Sequence, residues 1–240
     1  MKVEFIQKKP FCVFVIKNFL TLKEYNYLKK NFYNIKKGKF KRNFGDKFSV
    51  NSEDDIYKSL KKENNSIRLI EKKFDEKFFI EVFKSLRKYI IISRLKFIKL
   101  REVFRLLKKP SIEKNESILK KITKSSFRRN IQFSYMGKNS FIRPHTDKMS
   151  KLISLMLYFP SKNLENLNIG THFFNGGTSN FKNISENIFP KDNQKVFSIP
   201  FNGRHLYGFI KSDTSWHYVK KLKIQKNEIR KSININLHSH

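Results

Sequence analysis

The chain has 240 residues, a length that fits one domain with additions. Its 52 Lys and Arg outnumber 20 Asp and Glu, which gives a formal net charge of +32, and 25 Phe supply ample material for a core. Such a basic field could attract nucleic acid or an anionic membrane surface. We favour a solvated lysine surface set by composition, because Lys, Asn, Ile and Phe, which have A/T-rich codons, are all abundant. No basic run is interleaved with stacking aromatics.

Cysteine content and hydropathy limit the class further. Cys12 is the one cysteine, which excludes an intramolecular disulfide, and its apolar neighbours predict a buried thiol. The N-terminus MKVEFIQKK lacks the apolar centre of a signal peptide. The most apolar stretch, YIIISRLKFIKL, is too short and too charged to span a bilayer. We therefore predict a cytoplasmic protein without a transmembrane segment; its oligomeric state stays open.

The N-terminal segment is predicted to form a strand followed by a helix. FCVFVIKNFL is apolar and β-branched, which favours a strand. Thr21 stands three residues before Glu24, the spacing of a capping box at the start of a helix. Helical spacing then relates four apolar residues: Leu22, Tyr25, Leu28 and Phe32.

The middle of the chain carries weaker signals. Residues 38–66 are polar and predict a loop with short structure. From Ile67 to about Leu107, apolar residues recur every three or four positions, which predicts one or two amphipathic helices. Pro110-Ser111 is interpreted as a boundary.

From Arg128 onwards the apolar period changes to two. The segments are IQFSYM, KLISLMLYFP, THFFN, KVFSIPF, RHLYGFI, WHYVKKLKI and RKSININL. Seven short strands at this spacing favour a sandwich or jelly roll. KLISLMLYF is apolar on both faces and is predicted to lie centrally in its sheet. In the last segment Arg230, Ser232, Asn234 and Asn236 share one polar face, which is typical of a strand that lines a ligand cavity.

The segment YMGKNSFIRPHTD ends in two candidate metal ligands. His145 and Asp147 are two apart, so in an extended segment both point the same way. A third candidate, His217, lies in SWHYV, and Arg230 follows it in the last strand. Two His and one carboxylate can occupy one face of a non-heme Fe(II) and leave positions open for a co-substrate and O2. Taken alone, the HTD segment also fits a surface turn in which Asp147 bonds the backbone.

These elements together resemble the Fe(II)/2-oxoglutarate-dependent dioxygenase family, and within it the prolyl-4-hydroxylase-like branch with its bacterial-type members. That pattern has a Tyr about ten residues before HxD, then a strand, a distal His and an Arg or Lys. Here it is represented by Tyr135, His145 to Asp147, KLISLMLYF, His217 and Arg230. The opening strand ending in NFL is similar too. The resemblance covers most of residues 8–38 and 131–237, and residues 40–125 have no counterpart.

The resemblance implies an α+β fold, in which a double-stranded β-helix (jelly-roll) core is flanked by N-terminal and middle α-helices. We predict one dioxygenase domain over residues 1–240. Residues 1–125 would form the N-terminal strand and helical support, and residues 126–240 the jelly-roll core with the metal site.

The resemblance also implies an enzyme and its ligands. Fe(2+) would bind His145, Asp147 and His217, and O2 would react there. The co-substrate 2-oxoglutarate would bind through Arg230, with Ser232 and the Tyr135 hydroxyl as helpers. The expected reaction is hydroxylation of an unactivated C–H bond with release of succinate and CO2. From the residues alone, Arg230 could also be one more surface cation, and Tyr135 a core tyrosine.

Four other histidines compete for the distal position. His172 is interpreted as pocket wall or a structural residue, and His205 lies at a predicted turn. His238 and His240 are expected to be mobile near the chain end. We prefer His217, because only from there does Arg230 follow at the family spacing.

Two departures bear on the substrate. Collagen-type prolyl hydroxylases carry Lys where this chain has Arg230, which weakens transfer of their peptidyl-proline substrate. Nucleic-acid repair dioxygenases carry a second Arg six residues later, where this chain has Asn236. A small molecule, a saccharide or a peptidyl group remains open as substrate, and no specific nucleic acid is expected. The alternatives are a non-catalytic jelly-roll binding module and a nucleic-acid-modifying oxygenase.

Overall fold

A computed structural model describes residues 2–32, 42–43, 47–95, 106–107, 109–112, 124–165, 167–180, 182, 184, 190 and 196–239. The strands are β1 (Glu4–Gln7), β2 (Val13–Ile16), β3 (Arg42–Asn43), β4 (Lys47–Asn51), β5 (Lys109–Ile112), β6 (Lys124–Met136), β7 (Ile142–His145), β8 (Lys151–Tyr158), β9 (His172–Phe174), β10 (Val196–Ser198), β11 (Leu206–Ile210), β12 (Trp216–Val219) and β13 (Arg230–Ser239). The helices are α1 (Leu22–Lys30), α2 (Asp55–Glu63), α3 (Asn65–Lys73) and α4 (Glu76–Arg94).

The strands form two sheets with jelly-roll connectivity. The large sheet has the order β1-β2-β11-β8-β13-β6-β4-β3, with β5 parallel to β6, and the small sheet has the order β10-β9-β12-β7. Strands β6, β8, β11 and β13 belong to the large sheet, whereas β7, β9, β10 and β12 belong to the small one. This distribution of eight strands between two sheets is that of a double-stranded β-helix. The expected jelly-roll core is confirmed.

Two hydrophobic clusters hold this arrangement together. One lies between the helices and the outer face of the large sheet, and includes Leu28, Phe83 and Ile233. The other lies between the two sheets and includes Met156 and Phe173. Alternation along each strand of the large sheet therefore sends one set of side chains to the helices and the other to the space between the sheets.

The N-terminal predictions are confirmed. VFVI forms β2 inside the large sheet, and Cys12 beside it is buried and free. The Thr21 side chain accepts from the Glu24 backbone N–H, and the Glu24 carboxylate accepts from the Thr21 backbone N–H, which completes the capping box of α1. Tyr25 and Leu28 are buried as their spacing predicts, and so is Phe32, whereas Leu22 is 57 % exposed.

The middle region contains more regular structure than predicted. The polar segment 38–66 includes β4 and α2, a helix in which Tyr57 is the one buried side chain, so its apolar period was too sparse to recognise. Helices α3 and α4 confirm the amphipathic prediction as far as residue 94. Pro110 does not mark a boundary, because it lies within β5 and pairs with β6. Residues 96–105 and 113–123 lie outside the described residues.

The seven predicted C-terminal strands are all present, and β8 lies between β11 and β13, so its central position is confirmed. The extended segment before Asp147 forms an additional strand, β7. Strands from the N-terminal half extend the large sheet at both edges. The single-domain division stays a prediction. None of the described helices is long and apolar enough to cross a membrane.

Candidate metal centre

His145, Asp147 and His217 come together at the small sheet. His145 ends β7 and lies directly opposite His217 on the neighbouring strand β12. One ligand atom from each of the three residues lies within 4.8 Å of the others. Nε2 of His217 is 3.8 Å from Oδ2 of Asp147, and the two imidazole rings have centroids 4.2 Å apart. This is a compact set of two imidazoles and one carboxylate.

Backbone carbonyls orient both imidazoles. Nδ1 of His145 lies 2.8 Å from the Arg143 carbonyl oxygen, and Nδ1 of His217 lies 3.0 Å from that of Ser215. A carbonyl oxygen only accepts, so each Nδ1 carries a proton, and in the neutral ring Nε2 then keeps its lone pair. Neutral imidazoles held by a bond from the second nitrogen are typical metal ligands.

Thr146 fixes the chain between the first two ligands. Its hydroxyl donates to the Lys182 carbonyl, and its backbone N–H donates to the Ile184 carbonyl. Thr146 therefore points away from the centre while His145 and Asp147 point towards it, as alternation in an extended segment requires. The predicted orientation of the HTD segment is confirmed.

Electrostatics keep the two most buried groups in their metal-binding forms. Burial lowers the pKa of His217 to about 3, with a smaller contribution from His145. Burial alone would raise the pKa of Asp147, but Lys151, His217 and His145 outweigh it and hold that pKa below its ordinary range. Lys151 Nζ donates to Oδ1 of Asp147 at 2.7 Å, and Ser154 Oγ approaches Oδ2 at 3.3 Å. At neutral pH these groups supply one anion and one neutral nitrogen donor.

The three groups open onto a cavity of about 610 Å³ between the sheets. Besides the triad, its lining includes Ser154, Met156 and Phe209, and the polar side chains of Asn234 and Asn236 on β13. This agrees with the prediction that the polar face of the last strand lines a cavity. The volume lies within the range of small-molecule sites.

Arg230 is buried between the sheets without a carboxylate partner. It is 3 % exposed, and no Asp or Glu of the described residues lies within salt-bridge distance of it. Its Nε donates to the Ile169 carbonyl at 2.7 Å, and its guanidinium lies over the rings of Tyr158 and Phe201 at 5.1 and 5.2 Å. Burial lowers its pKa. A buried cation without a counter-ion is costly, so this position favours an anionic ligand.

Ser232 and Tyr158 lie on the same inner face as Arg230. Ser232 is directly opposite Tyr158 across β13 and β8, and the buried Ser232 Oγ has no hydrogen-bond partner among the described residues. The Tyr158 hydroxyl lies 2.8 Å from Thr171 Oγ1 and 3.6 Å from Met156 Sδ. Thr171 and Met156 line the cavity. Tyr158 thus connects Arg230 to the cavity.

Tyr135 lies on the other face of the large sheet. Its neighbour Met136 is the residue paired with Arg230, and alternation turns Tyr135 towards the helices. There its ring packs edge-on against Phe32, with centroids 5.4 Å apart, inside the cluster under the helices. The structure therefore does not bring Tyr135 to Arg230. Tyr135 is a core residue, as the alternative interpretation of the sequence had it.

The competing histidines lie elsewhere or lack the other ligands. Nδ1 of His205 accepts from the Asn18 backbone N–H at 3.0 Å, outside the cavity lining. His172 is buried and approaches the Gly170 carbonyl. His238 lies within β13, which pairs with the long strand β6 as far as Ser239; it lines the cavity and lies near Ser150. His240 lies outside the described residues.

No family model matches the chain, and no curated protein matches it. Among solved structures, the chain is similar to a Pseudomonas putida prolyl-4-hydroxylase, with 9 % identity over 96 % of this chain and 94 % of that one and a TM-score of 0.49. The epimerase SnoN from nogalamycin biosynthesis matches with 10 % identity over 95 % of this chain and 78 % of its own, at a TM-score of 0.47. HygX from Streptomyces hygroscopicus, solved with nickel and 2-oxoglutarate, matches with 7 % identity, 95 % and 82 % coverage and a TM-score of 0.44. All three are distant likenesses, with TM-scores below 0.5.

Proposed function

We propose that this chain is an Fe(II)/2-oxoglutarate-dependent dioxygenase that hydroxylates an unactivated C–H bond. The observation that carries the proposal is the convergence of His145, Asp147 and His217 within 4.8 Å at a cavity inside a jelly roll. Two imidazoles and one carboxylate on one side of a cavity form a donor set that suits non-heme Fe(II) and leaves room for a co-substrate.

The donor set fits the metal in chemistry as well as in position. Nδ1 of each imidazole bonds a backbone carbonyl, which leaves Nε2 for the metal, and the carboxylate is held ionised by Lys151. Lys151 donates to Oδ1 of Asp147, and the second oxygen, Oδ2, faces His217. Iron with 2-oxoglutarate and O2 would supply the oxidising chemistry, with succinate and CO2 as co-products.

Arg230 and Ser232 are proposed to hold the distal carboxylate of 2-oxoglutarate. The guanidinium lacks an anion and the Ser232 hydroxyl lacks a partner among the described residues, so a carboxylate would satisfy both. Tyr158 is proposed to replace Tyr135 as the tyrosine of this subsite, because it lies against Arg230. Met156 lies between Tyr158 and the cavity, and its flexible side chain can move aside for the co-substrate.

A succinate-release assay tests the proposal. The full chain is supplied with Fe(II), 2-oxoglutarate and O2, with and without candidate substrates, and product mass is read in parallel. We expect iron-dependent succinate formation and a substrate that gains one oxygen, about 16 mass units. Failure to bind iron or 2-oxoglutarate would leave the fold as a metal-free binding module.

A further inference from the structure

Four carboxamides line the large-sheet wall of the cavity. Asn234 lies directly opposite Gln132, and Asn236 lies directly opposite Asn130, on β13 and β6. All four are partly exposed and line the same cavity as the metal ligands. On its other side Asn236 is paired with Ser154, whose hydroxyl approaches Asp147. The carboxamide wall therefore begins beside the candidate metal centre.

Much of the hydrogen-bonding capacity of this wall is directed into the cavity. Gln132 donates to Asn51 at 2.8 Å, and Asn234 approaches Gln132 at 3.4 Å. The side chains of Asn130 and Asn236 form no hydrogen bond with any described residue. A carboxamide offers two donors and one acceptor oxygen, and a hydroxyl both donates and accepts, so paired carboxamides match a molecule with several hydroxyls.

The exposed part of the cavity lining, here called the mouth, carries positive charge. Arg128, Arg143 and Lys148 line it and are exposed. Arg128 is 3.7 Å from Glu53, and both side chains are 55 % exposed, so this ion pair is weak. Arg143 and Lys148 pair with no carboxylate among the described residues. An anionic group on a ligand would be attracted to this mouth.

We propose that the substrate is a hydroxyl-rich small molecule with an anionic group, of the chemistry shared by sugar phosphates and sugar acids. Its hydroxyls bind the carboxamides and its anion binds the cations at the mouth. This inference rests on the proposed function, since it takes the cavity as the active site. A proline-containing peptide segment could bond the carboxamides only through its backbone amides, and proline itself has no N–H to donate, so it would match the wall less completely.

Direct binding tests the substrate class without requiring turnover. The full chain, loaded with Fe(II) and 2-oxoglutarate under anaerobic conditions, is titrated calorimetrically with a panel of hexose phosphates, uronic acids, neutral hexoses and a proline-containing peptide. We expect at least one phosphate or uronic acid to bind at least about tenfold more tightly than the corresponding neutral hexose and the peptide. Comparison of the hexose phosphates with the uronic acids shows whether the mouth binds a phosphate or a carboxylate.

Variants locate the binding to the wall. Asn130→Ala and Asn236→Ala should each weaken binding of the best anionic sugar by about tenfold, as loss of one or two hydrogen bonds predicts. Asn65→Ala, the same change at an exposed position of α3, is the matched control and should bind as wild type. The 2-oxoglutarate titration of each variant reports whether the site is still folded.

Three results would overturn the inference. The first is a peptide that binds more tightly than every sugar of the panel, and the second is unchanged sugar binding in both wall variants. The third is a protein that binds iron and 2-oxoglutarate but no sugar phosphate or sugar acid, in which case this inference alone fails. If the sugars bind through Asn130 and Asn236 while iron and 2-oxoglutarate do not, the proposed function alone fails.

Discussion

His145 and His217 form a directly opposed pair on adjacent antiparallel strands, and each directs Nδ1 to the carbonyl of the residue two positions before it. The register of β7 and β12 thereby sets the ring separation, and the local backbone sets which nitrogen is available. Asp147 completes the group from the chain just beyond β7. The positions of the two imidazole donors are therefore set by two paired strands, which favours a preorganised site.

Replacing any one of the three candidate ligands should abolish iron binding. We expect His145→Ala, Asp147→Ala and His217→Ala each to retain less than about a tenth of the wild-type iron and to lose 2-oxoglutarate turnover, because a three-ligand set has no spare donor. Iron content after anaerobic loading and succinate release measure this. His205→Ala is the control, since that ring lies outside the cavity lining. Retained iron in His217→Ala together with its loss in His205→Ala would show that the distal ligand is misassigned.

Arg230→Lys should weaken 2-oxoglutarate binding more than iron binding. A planar fork that can bind a carboxylate through two bonds is replaced by a point charge, and we expect a loss of about tenfold in 2-oxoglutarate affinity. Titration of 2-oxoglutarate into the iron-loaded variant measures it, with Arg68→Lys on the exposed side of α3 as the control. An unchanged affinity would exclude Arg230 from the co-substrate subsite.

Substitutions of Tyr158 and Tyr135 test which of these two tyrosines contributes to 2-oxoglutarate binding. Tyr158→Phe removes a hydroxyl beside Arg230 and should weaken 2-oxoglutarate binding several-fold, as loss of one hydrogen bond would. Tyr135→Phe changes a side chain on the helix side of the sheet and should leave this affinity unchanged. Parallel titrations compare them, and the reverse result would return Tyr135 to the site.

The position of Tyr135 shows what the sequence could not determine. Alternation along β6 is visible in IQFSYM. The sequence does not show which of the two alternating sets of side chains faces the cavity, because that depends on the pairing with β13, where Met136 lies opposite Arg230. The candidate metal ligands were easier to predict, because the two-residue separation of His145 and Asp147 is visible in the sequence itself. Tyr158 was missed as a candidate because only the register between β8 and β13 brings it to Ser232. Helix α2 was not predicted because Tyr57 is its one buried side chain, so its sequence shows no apolar period.

His172 should make the metal-free protein less stable in mild acid. Burial lowers the pKa of this ring to about 4, below the ordinary value of 6.5. The unfolded chain therefore binds a proton between those values and the folded one does not, so stability is lost as pH falls from about 7 towards 4. The His172 contribution is about 2 kcal/mol between pH 7.5 and pH 5 as an upper bound. Urea unfolding of wild type and His172→Phe over this range should show a shallower pH dependence in the variant; equal slopes would remove His172 as a contributor.

The basic surface should bind nucleic acid only through general electrostatics. The net charge of +32 will attract DNA or RNA at low salt, and affinity should fall steeply as salt rises, because counterion release drives such binding. Specific single-strand binding also needs exposed aromatics for stacking, and Tyr27, at 40 % exposure, is the one aromatic among the exposed large hydrophobics of the described residues. A filter-binding series from low to physiological salt, with single- and double-stranded probes, should therefore end with no preference for sequence or structure. Tight binding that persists at physiological salt, or nucleic acid that stimulates succinate release, would instead make a nucleic-acid-modifying oxygenase the better assignment.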